Sequence, residues 1–250
     1  MLPPFSAVLP AFNEAVRIRD TLLATMAYLE KVSPQSEIIV VNDGSTDRTG
    51  DVVRQVFAEH TFRSALLLEN FPNHGKGAAV RKGLLAANWP VAAFFDADLS
   101  TPIEELLKII DPIAAGEVDI AFGSRALDRK LIGRHQPWRR EQAGRVFNLI
   151  VRLATGLPFW DTQCGFKAFR MQSCRQIIEA AKIDGFGFDV ELLLLAQRAG
   201  LKLREIPVRW NHYEGSKVHF IHDSLRMLRE VMVLRSRLNA GDYDIVLSRA

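Results

Sequence analysis

Asp96 and Asp98 stand one residue apart, directly after the wholly apolar run 91–95. In extended backbone, residues two apart project to the same side, so both carboxylates are expected in one crevice. Paired carboxylates suit a hard divalent cation. Mg2+ takes one or two of them and completes its shell with waters and substrate phosphates, and Mn2+ shares the preference for oxygen. Such an ion neutralises charge on a leaving diphosphate, which is Lewis-acid chemistry. An isolated Asp-x-Asp is more often a solvated turn. Its position at the end of an apolar strand favours function here, because ligands of open α/β sheets collect beyond the carboxyl ends of the strands.

A second group worth chemistry is Asn73-His74-Gly75-Lys76-Gly77, which leads into a helical pattern. Backbone N–H groups at a helix start can cradle an anion, and Lys76 can reach a diphosphate. This is not a dinucleotide fingerprint, since Val80 occupies the place of the third glycine. Asp189 and Glu191 read as early helix acids favoured by the helix dipole.

Positioning these residues takes a regular scaffold. Short apolar and β-branched runs at 5–9, 37–41, 65–68, 91–95 and 118–122 alternate with helical patterns. Asn13 is placed to cap the first helix and Ser45 or Thr46 the second. Thr101-Pro102-Ile103-Glu104 reads as a capping box with proline at the first helical position. The alternation predicts an α/β fold with a mostly parallel central sheet covered by helices on both faces. Beyond residue 125 the pattern loosens: a basic loop at 129–140, helices at 146–154 and 190–198, a turn into a strand at 161–169 and a strand at 203–210. One domain is expected over 1–238, closing on a long basic amphipathic helix at 220–238, with a tail at 239–250. A helix of that kind can lie in a membrane interface.

The 250 residues carry a net charge of +3 with basic residues spread along the chain, which argues against a dedicated nucleic-acid surface. The two cysteines, Cys164 and Cys174, form neither a disulfide framework nor a zinc pattern, so a reducing compartment is expected. The start of the chain lacks the pattern of a signal peptide, and no apolar run approaches the roughly 18–20 residues of a membrane span. A cytoplasmic protein, peripheral on the membrane face, is the expectation.

Four motifs in order resemble glycosyltransferase family 2: Leu9-Pro10-Ala11-Phe12-Asn13-Glu14, Val41-Asn42-Asp43-Gly44-Ser45-Thr46-Asp47, Asn73-His74-Gly75-Lys76-Gly77 and Asp96-Ala97-Asp98. Gly123-Ser124-Arg125, Asp161-Thr162-Gln163-Cys164-Gly165-Phe166-Lys167, Phe188-Asp189-Val190-Glu191-Leu192 and Gly215-Ser216-Lys217 look like its dolichyl-phosphate β-glucosyltransferase branch. The resemblance implies a GT-A (Rossmann-like) fold and an inverting, metal-dependent transfer from a nucleotide-sugar, UDP-glucose above all, to a polyprenyl phosphate at a membrane surface. It implies that Pro10, Ala11 and Glu14 line the nucleoside pocket and that Asp43 meets the base. Asp96 would lie near ribose and metal, Asp98 would bind the Mg2+ or Mn2+, Arg125 and Lys217 would hold the acceptor phosphate, and Asp161 would sit by the reacting centre. Ser100 stands where mannosyltransferase relatives often carry glutamine, which disfavours GDP-mannose.

The acceptor chemistry agrees with these residue types. A phosphate monoester already carries about −1.5 to −2 charge at pH 7 and needs compensation rather than deprotonation. Bidentate arginine and point-charge lysine supply it. A hydroxyl acceptor would need a general base, for which Asp161 is the candidate; otherwise Asp161 is a turn aspartate bonded to its own backbone. Two other classes, a nucleotidyltransferase and a non-catalytic nucleic-acid-binding module, are disfavoured. The first normally opens with a glycine-rich basic loop where Pro10 to Glu14 stand here.

Overall fold

The computed structural model describes residues 2–212 and 220–247, so Lys217 and its Gly-Ser setting lie outside the described residues. In chain order the strands are β1 (Ser6–Ala11), β2 (Glu37–Asp43), β3 (Ala65–Asn70), β4 (Val91–Phe95), β5 (Ile120–Ser124), β6 (Ile132–Arg134), β7 (Phe166–Arg170), β8 (Leu203–Pro207) and β9 (Trp210–Asn211). The helices are α1 (Ile18–Val32), α2 (Thr49–Glu59), α3 (Lys76–Leu85), α4 (Leu106–Ala114), α5 (Trp138–Thr155), α6 (Met171–Ala180), α7 (Phe188–Arg198), α8 (Phe220–Asn239) and the short α9 (Asp244–Leu247). Seven strands form one sheet in the order β3-β2-β1-β4-β7-β5-β8, and β6 pairs with β9 in a separate small ladder.

All pairs in the large sheet are parallel except those of β7, which runs antiparallel to both β4 and β5. That reversal matters for function. Phe166, at the start of β7, pairs with Phe95, at the end of β4, so the turn preceding β7 is delivered to the edge where Asp96 and Asp98 emerge. The Asp96 N–H donates to the Gly165 carbonyl at 3.1 Å and extends the ladder one step past the strand.

The sheet is buried on both faces because its inner strands have apolar middles: every residue of β2 and β4 is buried, the polar ends of β2 included. On one face Val8, Ile39, Val41, Phe94 and Phe122 pack with residues of α3, α5, α6, α7 and α8. On the other, Leu9, Val40, Phe95 and Phe166 pack with α1, α2 and α4. Burial of this kind contributes roughly 25 cal/mol per Å2 of apolar surface and dominates the favourable side of folding.

Several local expectations change. Asn13 does not cap α1, which begins at Ile18; it adopts φ +55° and its side-chain oxygen accepts the Thr46 and Asp47 N–H groups, locking two loops together. Neither Ser45 nor Thr46 caps α2, which begins at Thr49; Asp47 accepts the Thr49 N–H instead. The capping box is replaced by a 3-10 turn, Ile103–Glu105, with Pro102 just before it. The basic loop at 129–140 contains β6 and the first turn of α5, and α6 fills a stretch that carried no expectation. On α8, Val231, Leu234 and Leu238 are buried in the protein's own core, so the larger part of its apolar face is spent internally.

Close approach of α3 to β1 depends on Gly83: a Cβ there would lie 2.3 Å from Val8 Cγ1 and 3.0 Å from Val41 Cγ2. Both valines are fully buried and have nowhere to move. Gly83→Val is therefore expected to lower the unfolding free energy by about 1–3 kcal/mol, read from urea denaturation midpoints at unchanged slope.

Candidate active site

The carboxyl end of β4 opens into a cavity of about 280 Å3, bordered by Lys76, Asp96, Asp98, Arg125, Gln163, Gly165, Phe186, Asp189 and Trp210 among others. Asp96 and Asp98 both reach it, though not as extended backbone. The Leu99 N–H donates to the Asp96 carbonyl and Leu99 takes φ +47°, so the two acids sit on a tight turn. The turn is possible because Gly165 has no side chain: a Cβ there would lie 2.1 Å from Asp96 Oδ2.

Charge compensation is specific. Lys76 Nζ lies 2.6 Å from Asp96 Oδ1. Burial would lower the Lys76 ammonium, but Asp96, together with Asp189 and Asp98, more than offsets it and the group is held above the ordinary lysine range. Lys167 Nζ lies 2.6 Å from Asp189 Oδ1. Burial raises the Asp189 carboxyl against the pull of Lys167 and Lys76. Asp98 accepts the Ser100 N–H at 2.9 Å and, among the described residues, makes no close ion pair, though its charge reaches Lys76.

A divalent ion fits these donors. Among the described residues no cluster of three or more His, Cys, Asp or Glu side chains forms a closed metal cage. Asp98, half-buried and in no close ion pair, with Asp96 beside it, is the open arrangement in which an ion completes its shell with phosphate oxygens and water.

Asp161 and Arg125 form the other pole. The Arg125 Nε and Nη2 donate to Asp161 Oδ2 and Oδ1 at 2.7 and 2.8 Å, and the Arg125 backbone N–H adds a third bond at 3.0 Å. Glu205 on β8 accepts the N–H groups of Trp160 and Asp161 and fixes the turn. Burial alone would raise the Asp161 carboxyl, but the guanidinium outweighs it and holds the group below the usual carboxylate range. Asp161 thus positions Arg125 and is a weak proton acceptor. Arg125 borders both the first cavity and a second one, of about 470 Å3, between α5 and the turn carrying Trp160. Cys164 beside them is buried and its thiol is pushed up to about 12, first by desolvation, so it is inert.

The structure brings Lys76, Asp96, Asp98 and Arg125 to the first cavity and Asp161 to the second. Pro10, Ala11, Glu14 and Asp43 lie at the ends of β1 and β2, outside the lining of both. Asp43 is buried and turned into the glycine loop: Oδ1 accepts from Asn70 and the His74 N–H, and Oδ2 from Asn73 and the Gly75 N–H. It shapes the loop that aims Lys76. Sequence reasoning passed over Asp189 and Lys167. A dipole argument covered the first; the second hid in a short aromatic run whose only signal was a lysine inside a strand expected to be buried.

Residues 6–178 match the family model "Glycosyl transferase family 2". The chain is 34% identical to "Dolichyl-phosphate beta-glucosyltransferase" of Drosophila melanogaster over 96% of its own length and 77% of that protein's. It is 30% identical to the protein of the same name from Saccharomyces cerevisiae, over 95% and 76%. Among solved structures, glucosyl-3-phosphoglycerate synthase from Mycobacterium tuberculosis in complex with Mn2+, UDP and glucosyl-3-phosphoglycerate superposes with a TM-score of 0.63 at 21% identity, covering 92% of this chain and 77% of that one. The fold is that of the GT-A glycosyltransferases, and the chain belongs to glycosyltransferase family 2.

Because the Asp161 pKa is lowered on folding, the stability it contributes is present above the ordinary carboxylate value of about 3.9 and is lost only as pH falls through the lower folded value. The stability difference between wild type and Asp161→Asn is expected to stay flat from pH 7 to about 4 and to shrink below that. Its plateau should be about 3 kcal/mol, the low end for a buried pair because the guanidinium keeps some water. Denaturant unfolding across pH 2.5–7, set up at roughly half-unit steps, reads it.

Proposed function

We propose that this glycosyltransferase moves glucose from UDP-glucose onto a polyprenyl or dolichyl phosphate at a membrane surface, inverting the anomeric carbon. The observation that carries the reading is the meeting of two cavities at Arg125. On one side lie Asp96, Asp98 and Lys76, suited to a diphosphate. On the other lies a larger, more apolar space bordered by Ile132, Leu149, Trp160 and the cations Arg129, Arg145 and Arg152.

Arg125, aligned by Asp161, offers its remaining N–H groups at the junction, where an acceptor phosphate would meet the sugar. Such a phosphate needs no general base, in keeping with the lowered pKa of Asp161. Lys76 would leave Asp96 for the diphosphate, and Asp98 with Asp96 would hold Mg2+ or Mn2+. When bound, that ion would neutralise the leaving diphosphate. The relatives named dolichyl-phosphate beta-glucosyltransferase support both donor sugar and acceptor.

The membrane face of this reading is α5 rather than α8. Trp138, Val146, Leu149, Ile150 and Leu153 are exposed along α5, Trp138 at 72% and Leu153 at 78%. Trp160 joins them, with the Arg152 guanidinium 4.0 Å above its ring centroid. Aromatic and basic side chains beside an apolar stripe are what an anionic lipid interface attracts. No helix among the described residues is long and apolar enough to cross a membrane. The two cysteines are free and buried, in keeping with a cytoplasmic membrane face.

Purified protein given UDP-glucose, Mg2+ or Mn2+ and a polyprenyl phosphate in anionic vesicles is expected to form lipid-linked glucose, and none from the matching polyprenol. Leu149→Glu with Leu153→Glu should weaken vesicle sedimentation at least about tenfold, since each leucine is worth about 1.5 kcal/mol or more when buried, while UDP binding is unchanged. Transfer to the unphosphorylated alcohol, or no transfer to any lipid phosphate, contradicts the assignment.

A further inference from the structure

Lys167 is, among the described residues, the one cation that is fully buried. Taking an ammonium out of water is expensive unless it is paired, and methionine would fill the same space without that penalty. The fold alone does not account for it. Its Nζ lies 5.6 and 5.9 Å from the ring centroids of Phe94 and Phe122, donates to the Cys164 carbonyl at 2.6 Å and meets Asp189 Oδ1 at 2.6 Å. The carbonyl contact holds the turn that carries Asp161 and Gly165. The ion pair holds Asp189, in the first turn of α7, against the wall of the first cavity. Oδ1 is buried and has that ion pair as its contact, without a well-directed hydrogen bond, and no described residue donates a hydrogen bond to Oδ2.

The anomeric carbon must lie between the diphosphate end of the cavity, marked by Asp96, Asp98 and Lys76, and the acceptor end, marked by Arg125. The sugar ring then lies within the cavity that Gln163, Gly165, Phe186 and Asp189 also line, and Asp189 is close enough to Lys76 and Asp96 to feel both charges. Of these, Asp189 is the carboxylate. We propose that Asp189 Oδ2 accepts a hydrogen bond from a hydroxyl of the donor hexose, which makes Asp189 a specificity-determining residue and Lys167 the residue that positions it. This rests on the nucleotide-sugar reading above. A hydroxyl bound to a buried charged acceptor is a strong contact, and a sugar lacking it leaves that acceptor unpaired.

The test is a double-mutant cycle in binding, not turnover. Calorimetry measures the Kd of UDP, UDP-glucose and the UDP-linked 2-, 3-, 4- and 6-deoxyglucoses for wild type, Asp189→Asn, Lys167→Met and the double variant, with Mg2+ present. One deoxy donor is expected to bind wild type about tenfold more weakly than UDP-glucose. Asp189→Asn should weaken UDP-glucose by a similar factor, leave UDP within about twofold, and abolish the penalty for that one deoxy donor. Lys167→Met should act in the same direction and add nothing to Asp189→Asn. The double variant buries no charge, so it keeps the comparison available where a single variant unfolds.

Equal deoxy penalties in wild type and Asp189→Asn overturn the proposal, as does parallel weakening of UDP and UDP-glucose. Loss of UDP binding in every variant makes the pair part of the fold alone and overturns it too. If wild type binds another sugar nucleotide in place of UDP-glucose, the donor assignment fails, and the same cycle with that donor's deoxy analogues decides on Asp189.

Discussion

Carboxylates crowded at the mouth of a buried sheet repel one another and lose water, and each must find a positive partner. Asp96, Asp161 and Asp189 find theirs in Lys76, Arg125 and Lys167. Asp98, among the described residues, makes no close ion pair and feels Lys76 only at longer range. It lies where a divalent ion and a diphosphate would complete the charge. The glycine loop, the Asp43 network beneath it and the Asp161–Arg125 pair serve to keep those charges at fixed places.

The antiparallel strand β7 makes this possible. A wholly parallel sheet would place only strand ends and helix starts along its carboxyl edge. Inserting β7 the other way brings the turn at 161–165 to the same edge, so the Asp161–Arg125 pole faces the Asp96–Asp98 pole across one cavity. Gly165 lets the Asp96 carboxylate fold against that turn. On the proposed reading, donor and acceptor chemistry would meet across the β4–β7 pair, and β8 holds the far side through Glu205. The same turn borders the second cavity, which shares Leu149 with the exposed apolar stripe of α5, so a lipid-borne phosphate would reach Arg125 from that cavity without crossing the donor side.

Much of this was legible in the residues. Apolar runs ending in polar clusters located β1 to β4 and β5, and the acidic pair after β4 marked the cavity. The direction of β7 was not legible, because strand direction follows from connections that a periodicity cannot show. Asp43, expected at a nucleobase, also anchors a loop thirty residues on, a long-range contact that no local pattern carries. The caps at Asn13 and Ser45 failed because those side chains bind each other's loops rather than their own helices. α8 read as the membrane helix from its charge and apolar spacing; Val231, Leu234 and Leu238 pack inward while Leu225 and Met232 stay exposed, and α5, read only in part, keeps most of its apolar residues outside apart from Phe147 and Val151.

The most direct measurement is a crystal grown with Mn2+ and UDP and recorded at a wavelength where manganese scatters anomalously. The account predicts one anomalous peak within bonding distance of an Asp98 oxygen and of the diphosphate, with the Lys76 ammonium drawn from Asp96 toward the phosphates. A nucleotide seated with its diphosphate away from the Asp96–Asp98 turn, or manganese bound with Asp98 unligated, would contradict it.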